Sequence, residues 1–163
     1  GKFLGSSEIL RIAEKLRWLV LNDDRPDVTV DTFLPFSRLK DFLLWYEKDF
    51  GHYPLWCVPY RRVHDYEWLA DGFWKDMDDE LLVDIAIYGM KQRGQTNYYR
   101  LMEQKLQELG GIKTLISYNY YPEEEFWTIF HKENFDKVKA ITDPDNIFRD
   151  LYQKTCRAAM GQE

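Results

Sequence analysis

The arrangement of the chain follows from one stretch, Gly110-Gly-Ile-Lys-Thr-Leu-Ile-Ser-Tyr-Asn-Tyr-Tyr-Pro-Glu-Glu-Glu-Phe-Trp127. The two glycines predict the end of a helix, because glycine adopts the left-handed cap conformation without a Cβ clash. The run from Ile112 to Tyr120 is rich in β-branched and aromatic residues, which is typical of a strand. Pro122 then suits the first position of a new helix, and the three glutamates after it favour the positive end of the helix dipole.

Upstream of this stretch the sequence predicts two helices and three more strands. The helices are expected over Arg38–Phe50, capped by Ser37, and Asn97–Leu109, capped by Thr96. The strands are expected over Val28–Leu34, Tyr53–Tyr60 and Leu81–Tyr88. Strand, helix, strand, strand, helix, strand is the order of a split βαβ repeat. We therefore expect an α+β fold with a ferredoxin-like antiparallel sheet, helices on one face, and extra N- and C-terminal helices.

The ends of the chain add further expected helices. Ser6 or Ser7 can cap an amphipathic helix from Glu8 to about Leu21, which would dock on a core or a neighbouring domain, or alternatively lie on a membrane surface. We divide the chain into an N-terminal helix and linker over residues 1–25 and a main domain over residues 26–163. The C-terminal part is expected to form helices over residues 123–130, 135–141 and 147–160.

Composition excludes several classes of protein. The net charge of −6 argues against nucleic acid as a main partner. The three histidines lack metal-ligand spacing, so no metal site is expected, and neither a P-loop nor a GxGxxG motif is present. Two cysteines make no disulfide framework, although one bridge is not excluded; they favour a reducing compartment, and a cytoplasmic location is expected. Aromatic residues make up 17% of the chain and can form either a core or a ligand pocket.

The predicted strands place candidate functional residues on the second face of the sheet. Alternation puts Asp31 on this face of one strand, and Asp84 and Tyr88 on this face of its expected neighbour. The two aspartates could share a proton or bind a substrate hydroxyl, and a purely structural role is equally open. The mixed composition of the face indicates contact with a ligand or another domain. Cys57 lies in an apolar strand and is expected to be a core residue rather than a nucleophile.

The last predicted strand and the long segment after the second strand supply further candidates. Tyr118 and Tyr120 should point to one side of the strand, and Asn119 and Tyr121 to the other, although the register is left open. The excursion from Arg61 to Glu80 has no clear period and is the expected place for binding contacts, including Arg61 and His64.

Several of these segments carry a family resemblance, in order along the chain. They are residues 28–35 (VTVDTFLP), 53–60 (YPLWCVPY), 84–89 (DIAIYG), Tyr120 with 124–127 (EEFW), 143–148 (DPDNIF) and 151–156 (LYQKTC). Together they resemble the C-terminal part of FAD-linked oxidoreductases of the vanillyl-alcohol-oxidase type, in particular the Δ24-sterol reductases. The resemblance covers roughly residues 28 to 160.

The resemblance implies a cap domain that covers a flavin and binds a small organic substrate. The FAD would be bound mainly by an N-terminal FAD-binding domain, the expected partner, which is missing from this sequence, so the chain is not expected to be active alone. The implied proton donor is Tyr120, and the proposed substrate-binding residues are Asp84, Tyr88, Tyr118, Asn119, Arg61 and His64. The alternative is a non-enzymatic ferredoxin-like module that binds a small ligand or another protein.

Overall fold

A computed structural model describes residues 28–75 and 79–162, so the predicted helix over residues 8–21 and the division at residue 25 lie outside the described residues. The strands are β1 (Val28–Pro35), β2 (Trp56–Arg61), β3 (Leu81–Met90) and β4 (Ile112–Lys113). The helices are α1 (Leu39–Asp49), α2 (Asp71–Lys75), α3 (Tyr98–Glu108), α4 (Glu123–Ile129) and α5 (Lys132–Thr142).

The four strands form one antiparallel sheet in the order β2-β3-β1-β4. This order, with α1 after β1 and α3 after β3, confirms the predicted ferredoxin-like α+β fold. The register pairs Asp31 with Ala86 and Phe33 with Asp84. Pro59 lies in β2, which is an edge strand and therefore tolerates a residue that cannot donate a backbone hydrogen bond.

The first face of the sheet carries the main core, as the alternation predicts. Alternate residues of β1 are buried, from Val28 to Leu34, whereas those between them are only partly covered. The helices α1 and α3 lie over this face and contribute Phe42, Tyr46, Met102 and Leu106, all fully buried. Burial of such side chains stabilises the fold by about 1.5–3 kcal/mol each.

Two predicted helix caps are wrong, because in each case the next residue along the chain is the N-cap. Ser37 lies in a short 3₁₀ helix (Phe36–Arg38) that precedes α1, and its backbone N–H donates to the Asp79 carboxylate at 2.7 Å. The helix α3 is capped by Asn97 rather than Thr96, because the Asn97 side chain accepts from the Arg100 N–H at 3.0 Å. Such shifts are common at helix ends, where Ser, Thr and Asn have similar capping strength.

The strand predicted over Ile112–Tyr120 is much shorter than expected. Only Ile112 and Lys113 pair with β1, and the Thr114 N–H donates one further bond to the Asp31 carbonyl. The chain then turns at Ser117, whose φ is +63°. The buried Lys113 ammonium binds the Tyr118 carbonyl at 3.0 Å, so this segment folds back on its own strand instead of continuing along β1.

The C-terminal part also departs from the predicted helices. Pro122 is the residue before α4 rather than its first helical residue. The helix expected over residues 147–160 is reduced to two α-helical residues, 151–152, that continue into a π-helix over Gln153–Arg157. The Asp143 carboxylate explains the late start, because it accepts the backbone N–H groups of Ile147 and Phe148 at 2.8 and 3.1 Å and holds them outside a helix.

The second face of the sheet is covered only in part. At one end Phe33, Leu82 and Ile112 pack under the Arg61–Glu80 excursion and the C-terminal helices. Leu69 in that excursion forms a β-bridge with Phe130, and the Ala70 N–H donates to the Ile129 carbonyl at 2.8 Å. The expectation that this face meets another domain or a ligand therefore has to be limited to the other end, around Asp31 and Tyr88.

Candidate functional site on the second sheet face

Three polar residues lie together on the uncovered end of the second face. The Tyr88 hydroxyl on β3 donates to both carboxylate oxygens of Asp31 on β1, at 2.9 and 3.0 Å. Asp84 lies before Tyr88 on β3, at an even spacing along the strand, so its side chain points to the same face. Tyr88 is 46% exposed, so the group can be reached from outside. We call Asp31, Asp84 and Tyr88 the carboxylate cluster.

The surroundings of Asp84 favour its protonated form. Burial, followed by the negative charge of Asp31, raises the pKa of Asp84 to about 6. Its Oδ1 atom is buried and has no hydrogen-bond partner among the described residues. The Tyr88 pKa is also raised, first because its hydroxyl is hydrogen-bonded to Asp31. A carboxyl group with a pKa near neutrality can both give and take a proton under physiological conditions.

The two aspartates do not share a proton directly. The hydrogen bonds to Asp31 come from Tyr88, and Asp84 senses Asp31 through its charge. The prediction that Asp31 and Asp84 lie on the same face of neighbouring strands is confirmed by the register. The hydrogen bonds from the Tyr88 hydroxyl to Asp31 on the neighbouring strand could not be predicted from the sequence.

An apolar pocket of about 210 Å³, which we call the face pocket, lies on the same face of the sheet, and its lining includes none of Asp31, Asp84 and Tyr88. It lies between the sheet residues Phe33, Tyr60 and Leu82 and the excursion residues Tyr66 and Phe73. Phe33, which lines the pocket, is the register partner of Asp84, so Asp84 lies one strand away from the pocket lining. The arrangement can hold an apolar molecule next to a group that transfers protons.

The excursion brings one of its two candidate residues to this pocket. Arg61, at the end of β2, is part of the lining of the face pocket. His64 instead contacts the ring of Tyr66, with the ring centroids 4.7 Å apart. Tyr66 lines the pocket, whereas His64 does not and lies against the Tyr66 ring.

The tyrosines after β4 form a separate cluster at the other edge of β1. The rings of Tyr118 and Tyr120 lie 5.6 and 6.2 Å from that of Tyr99 on α3, rather than against Asp84. The Tyr99 hydroxyl accepts the Thr29 N–H at 3.3 Å, which places this cluster beside β1, level with Tyr88 on the opposite side of the strand. Tyr118 is 55% exposed at this margin, whereas Tyr120 is partly buried.

Asn119 is a structural residue in this arrangement. It is fully buried, accepts a hydrogen bond from the Lys113 ammonium, and donates to the carbonyls of Leu115 and Ser117 at 3.3 and 3.2 Å. Its hydrogen-bonding groups are therefore used within the chain. This is why, of the residues predicted for the site, Asn119 is the one that the structure withdraws from the protein surface.

A buried ion pair that the sequence analysis did not single out supports the tyrosine segment. Lys113 and Glu103 are 0% and 1% exposed and lie 3.4 Å apart. Burial raises the pKa of Glu103 and lowers that of Lys113, and in each case the partner's charge opposes the shift. Glu103 also accepts the Tyr120 N–H at 2.9 Å. The available signal was a glutamate on the apolar side of α3, between Tyr99 and Leu106.

The cysteines differ from expectation in one respect. Cys57 is exposed on the edge strand β2, so its prediction as a core residue is wrong; the apolar run around it lies at the sheet edge rather than in its centre. Partial burial of the sulfur, followed by the charge of Asp84, raises the Cys57 pKa, which favours the protonated thiol. Both cysteines are free, and Cys156 is buried.

Two absences can be stated for residues 28–75 and 79–162. No group of three or more His, Cys, Asp or Glu side chains is arranged to bind a metal ion within these residues. The same part of the chain has no helix whose length and apolar character would let it pass through a bilayer. Attachment to a membrane surface stays a prediction.

Comparison with known proteins finds relatives of one kind. The chain is 26% identical over 141 residues to the Delta(24)-sterol reductase of Homo sapiens and 27% identical to that of Rattus norvegicus, in each case over 81% of this chain and 26% of the relative. The Delta(24)-sterol reductase homolog of Caenorhabditis elegans is 23% identical over 83% of this chain. No family model and no solved structure matches.

The matched region covers most of this chain but a small part of each relative. The chain spans about a quarter of the length of the curated relatives it matches, 26% in each case. Sequence similarity thus supports a relationship to Delta(24)-sterol reductases across most of the described domain.

Proposed function

We propose that this chain is the substrate-binding cap of an FAD-dependent oxidoreductase, which transfers a hydride between the flavin and a small organic substrate. The substrate would be sterol-like or an alcohol. The observation that carries the proposal is the position of Asp84, whose pKa is about 6 and which is the cross-strand neighbour of Phe33 in the lining of an apolar pocket. The similarity to Delta(24)-sterol reductases supports the same reading.

The chain's own residues would bind the substrate and handle a proton. The face pocket would hold the apolar body of the substrate, with Phe33 and Leu82 as its floor. Asp84 would give or take the proton that accompanies hydride transfer, and Tyr88, fixed by Asp31, would orient a polar atom of the substrate. A flavin, when bound, would supply the hydride chemistry.

The flavin itself would be held mainly by another domain. The sequence has no P-loop and no GxGxxG segment to bind a pyrophosphate, so these residues suit a cap over the flavin ring rather than a complete flavin site. The uncovered end of the second face is where the ring would lie. We propose the protein's own N-terminal FAD-binding domain as the partner, in line with the quarter of its relatives that this chain spans.

Tyr120 stays the predicted proton donor on the strength of the family resemblance. Its ring contacts Tyr99, and its backbone is held by Glu103, so its position is well defined. Asp84 is the competing candidate, because it lies on the open face and has a pKa near neutrality. The two candidates lie on different sides of β1, so mutation of each separates their roles.

The test is made on the complete polypeptide that carries this chain. Its visible absorption spectrum should show bound flavin, and a panel of unsaturated lipids and alcohols should change the flavin's redox state. Asp84→Asn should lower turnover by about a hundredfold with unchanged flavin content, because a neutral amide cannot transfer the proton. Asp136→Asn, an exposed change on α5, is the control and should leave turnover unaltered.

A non-enzymatic binding module is the second candidate. One observation favours it: the face pocket is formed entirely by residues of this chain and needs no second domain. A complete polypeptide that is purified without flavin, but still binds apolar ligands in this pocket, would replace the cap proposal with this one.

A further inference from the structure

A second apolar pocket, larger than the face pocket, lies away from the carboxylate cluster. It has a volume of about 500 Å³ and is bordered by β4 and the residues after it, α4, α5 and the excursion. We call it the helix pocket. Its apolar walls are formed chiefly by Trp68, Leu115, Trp127, Phe130, Phe135 and Val138. Pockets of this size and composition bind small molecules.

The aromatic walls of the helix pocket are held in place by their own packing. The ring of Phe130 stacks near Trp68 with centroids 6.2 Å apart, and Trp127 lies 6.0 Å from Phe135. Phe126 packs edge-on against Trp127 from the core side, at 4.8 Å, and is itself fully buried. The walls are therefore preformed flat surfaces, which suit a ligand with a planar apolar body.

The charges around the helix pocket indicate a neutral ligand. The ionisable residues in its lining are Glu67 and His131, and neither lysine nor arginine is among the described lining residues. The nearby Lys132 ammonium lies over the Trp127 ring at 5.2 Å and is 2.6 Å from the Asp136 carboxylate, so its charge is already paired. An anionic head group would have to give up water without gaining a counter-charge.

The lining also contains polar atoms that the protein leaves unpaired. Thr114 Oγ1 and Trp127 Nε1 are buried, and no described residue forms a hydrogen bond with either. A buried polar atom without a partner costs about 1–3 kcal/mol. A ligand that carries a hydroxyl or carbonyl oxygen offers the kind of partner that these two atoms lack.

We propose that the helix pocket is a separate binding site for a neutral, planar, largely apolar molecule with a hydroxyl or carbonyl group. This goes beyond the proposed function, which places the substrate in the face pocket. Trp68 and Ile112 line both this pocket and the face pocket, so they form the wall between the two sites. Occupation of the helix pocket requires neither a flavin nor the carboxylate cluster.

The test uses two probes of matched shape, anthracene-9-methanol and anthracene-9-carboxylate, and the 163-residue chain. Excitation of the tryptophans, two of which (Trp68 and Trp127) line the pocket, should give sensitised anthracene emission when a probe binds there. The neutral probe should bind at least tenfold more tightly than the carboxylate. Equal affinities, or no binding of the neutral probe, would overturn the proposal.

Three substitutions on α5 locate the binding. Val138 is 60% exposed and lines the pocket, so Val138→Trp should fold normally, fill the space and weaken the neutral probe at least tenfold. Ile141→Trp, at an 82% exposed position of the same helix outside the lining, should leave the affinity unchanged. Val138→Lys should shift the preference toward the carboxylate. Binding that is unchanged by both Val138→Trp and Val138→Lys would place the probe elsewhere and refute the site.

Discussion

The hydroxyl of Tyr88 donates to both carboxylate oxygens of Asp31, at 2.9 and 3.0 Å, across the central pair of antiparallel strands. This bond fixes the side chains at the uncovered end of the sheet while Asp84, on the same face, keeps a buried oxygen without a partner. Tyr88 and Asp31 thus form a fixed pair, whereas the Asp84 carboxyl group is able to exchange a proton. The first two predictions test these two roles.

Removing the Tyr88 hydroxyl should impair the site without damaging the fold. In the complete polypeptide we expect Tyr88→Phe to lower turnover by about tenfold, because Asp31 loses its donor and the face loses an orienting hydroxyl. Turnover and flavin content are the measurements. Tyr53→Phe, at a 56% exposed tyrosine whose ring packs against Tyr46 instead, is the matched control. Equal losses in both variants would remove Tyr88 from the site.

The raised pKa of Asp84 should make stability depend on pH. The folded protein binds this proton more tightly than the unfolded chain, since the pKa rises from 3.8 to about 6. The stabilisation is thus complete below about pH 4 and is lost as the pH rises to about 6. Partial exposure of Asp84 keeps the effect small.

Asp84→Asn should abolish this part of the pH dependence and raise stability at neutral pH relative to the unmodified protein. Urea unfolding at several pH values between those limits measures it, with Asp136→Asn as the control. A variant whose free energy of unfolding follows the same pH curve as the parent would show that Asp84 ionises normally.

Gly111 and Gly110 should respond very differently to alanine. A Cβ on Gly111 would lie 2.7 Å from the Phe33 carbonyl oxygen and 3.0 Å from Leu34 Cβ, so Gly111→Ala should destabilise the fold by about 2–3 kcal/mol. Gly110 has a φ of +69° with open space around it, so Gly110→Ala should cost only about 1 kcal/mol. Thermal or urea unfolding distinguishes them, and a reversed order would contradict the close approach of Gly111 to β1.

The buried pair of Lys113 and Glu103 should behave as a unit. Lys113→Met leaves a carboxylate in the core and Glu103→Gln leaves an ammonium there, so each should cost about 3–5 kcal/mol. The double variant should lose less than the sum of the two, because neither charge is then stranded. Urea unfolding of all four proteins measures the coupling; additive losses would mean that the two charges do not interact.

Tyr120→Phe tests the residue that the family resemblance favours. We expect a fall in turnover of about a hundredfold in the complete polypeptide, with normal flavin content, since phenylalanine preserves the packing on Tyr99 but cannot donate a proton. Tyr118→Phe on the same segment is the comparison. Unchanged turnover in Tyr120→Phe, together with loss in Asp84→Asn, would assign the proton to the open face instead.

Local sequence patterns were sufficient for the sheet and its first face. The alternation in residues 28–35 and 81–90 identifies buried and exposed sides because the side chains of a strand point alternately to its two faces. The helix–strand order and the glycines at 110 and 111 then predict the ferredoxin-like order of strands. The same patterns placed Asp31 and Asp84 on one face, since their register follows from that order.

Only the tertiary structure decided what covers the second face and where the tyrosines lie. The strand predicted through Tyr120 ends at Lys113, because a buried ammonium paired with Glu103 draws the Tyr118 carbonyl and Asn119 back toward it. Leu69 pairs with Phe130, 61 positions further along the chain, and closes one half of the face. Such contacts depend on desolvated charges and distant apolar surfaces meeting in space, and neither has a local pattern; the sequence determines strand periodicity, and the packing of remote segments determines the site.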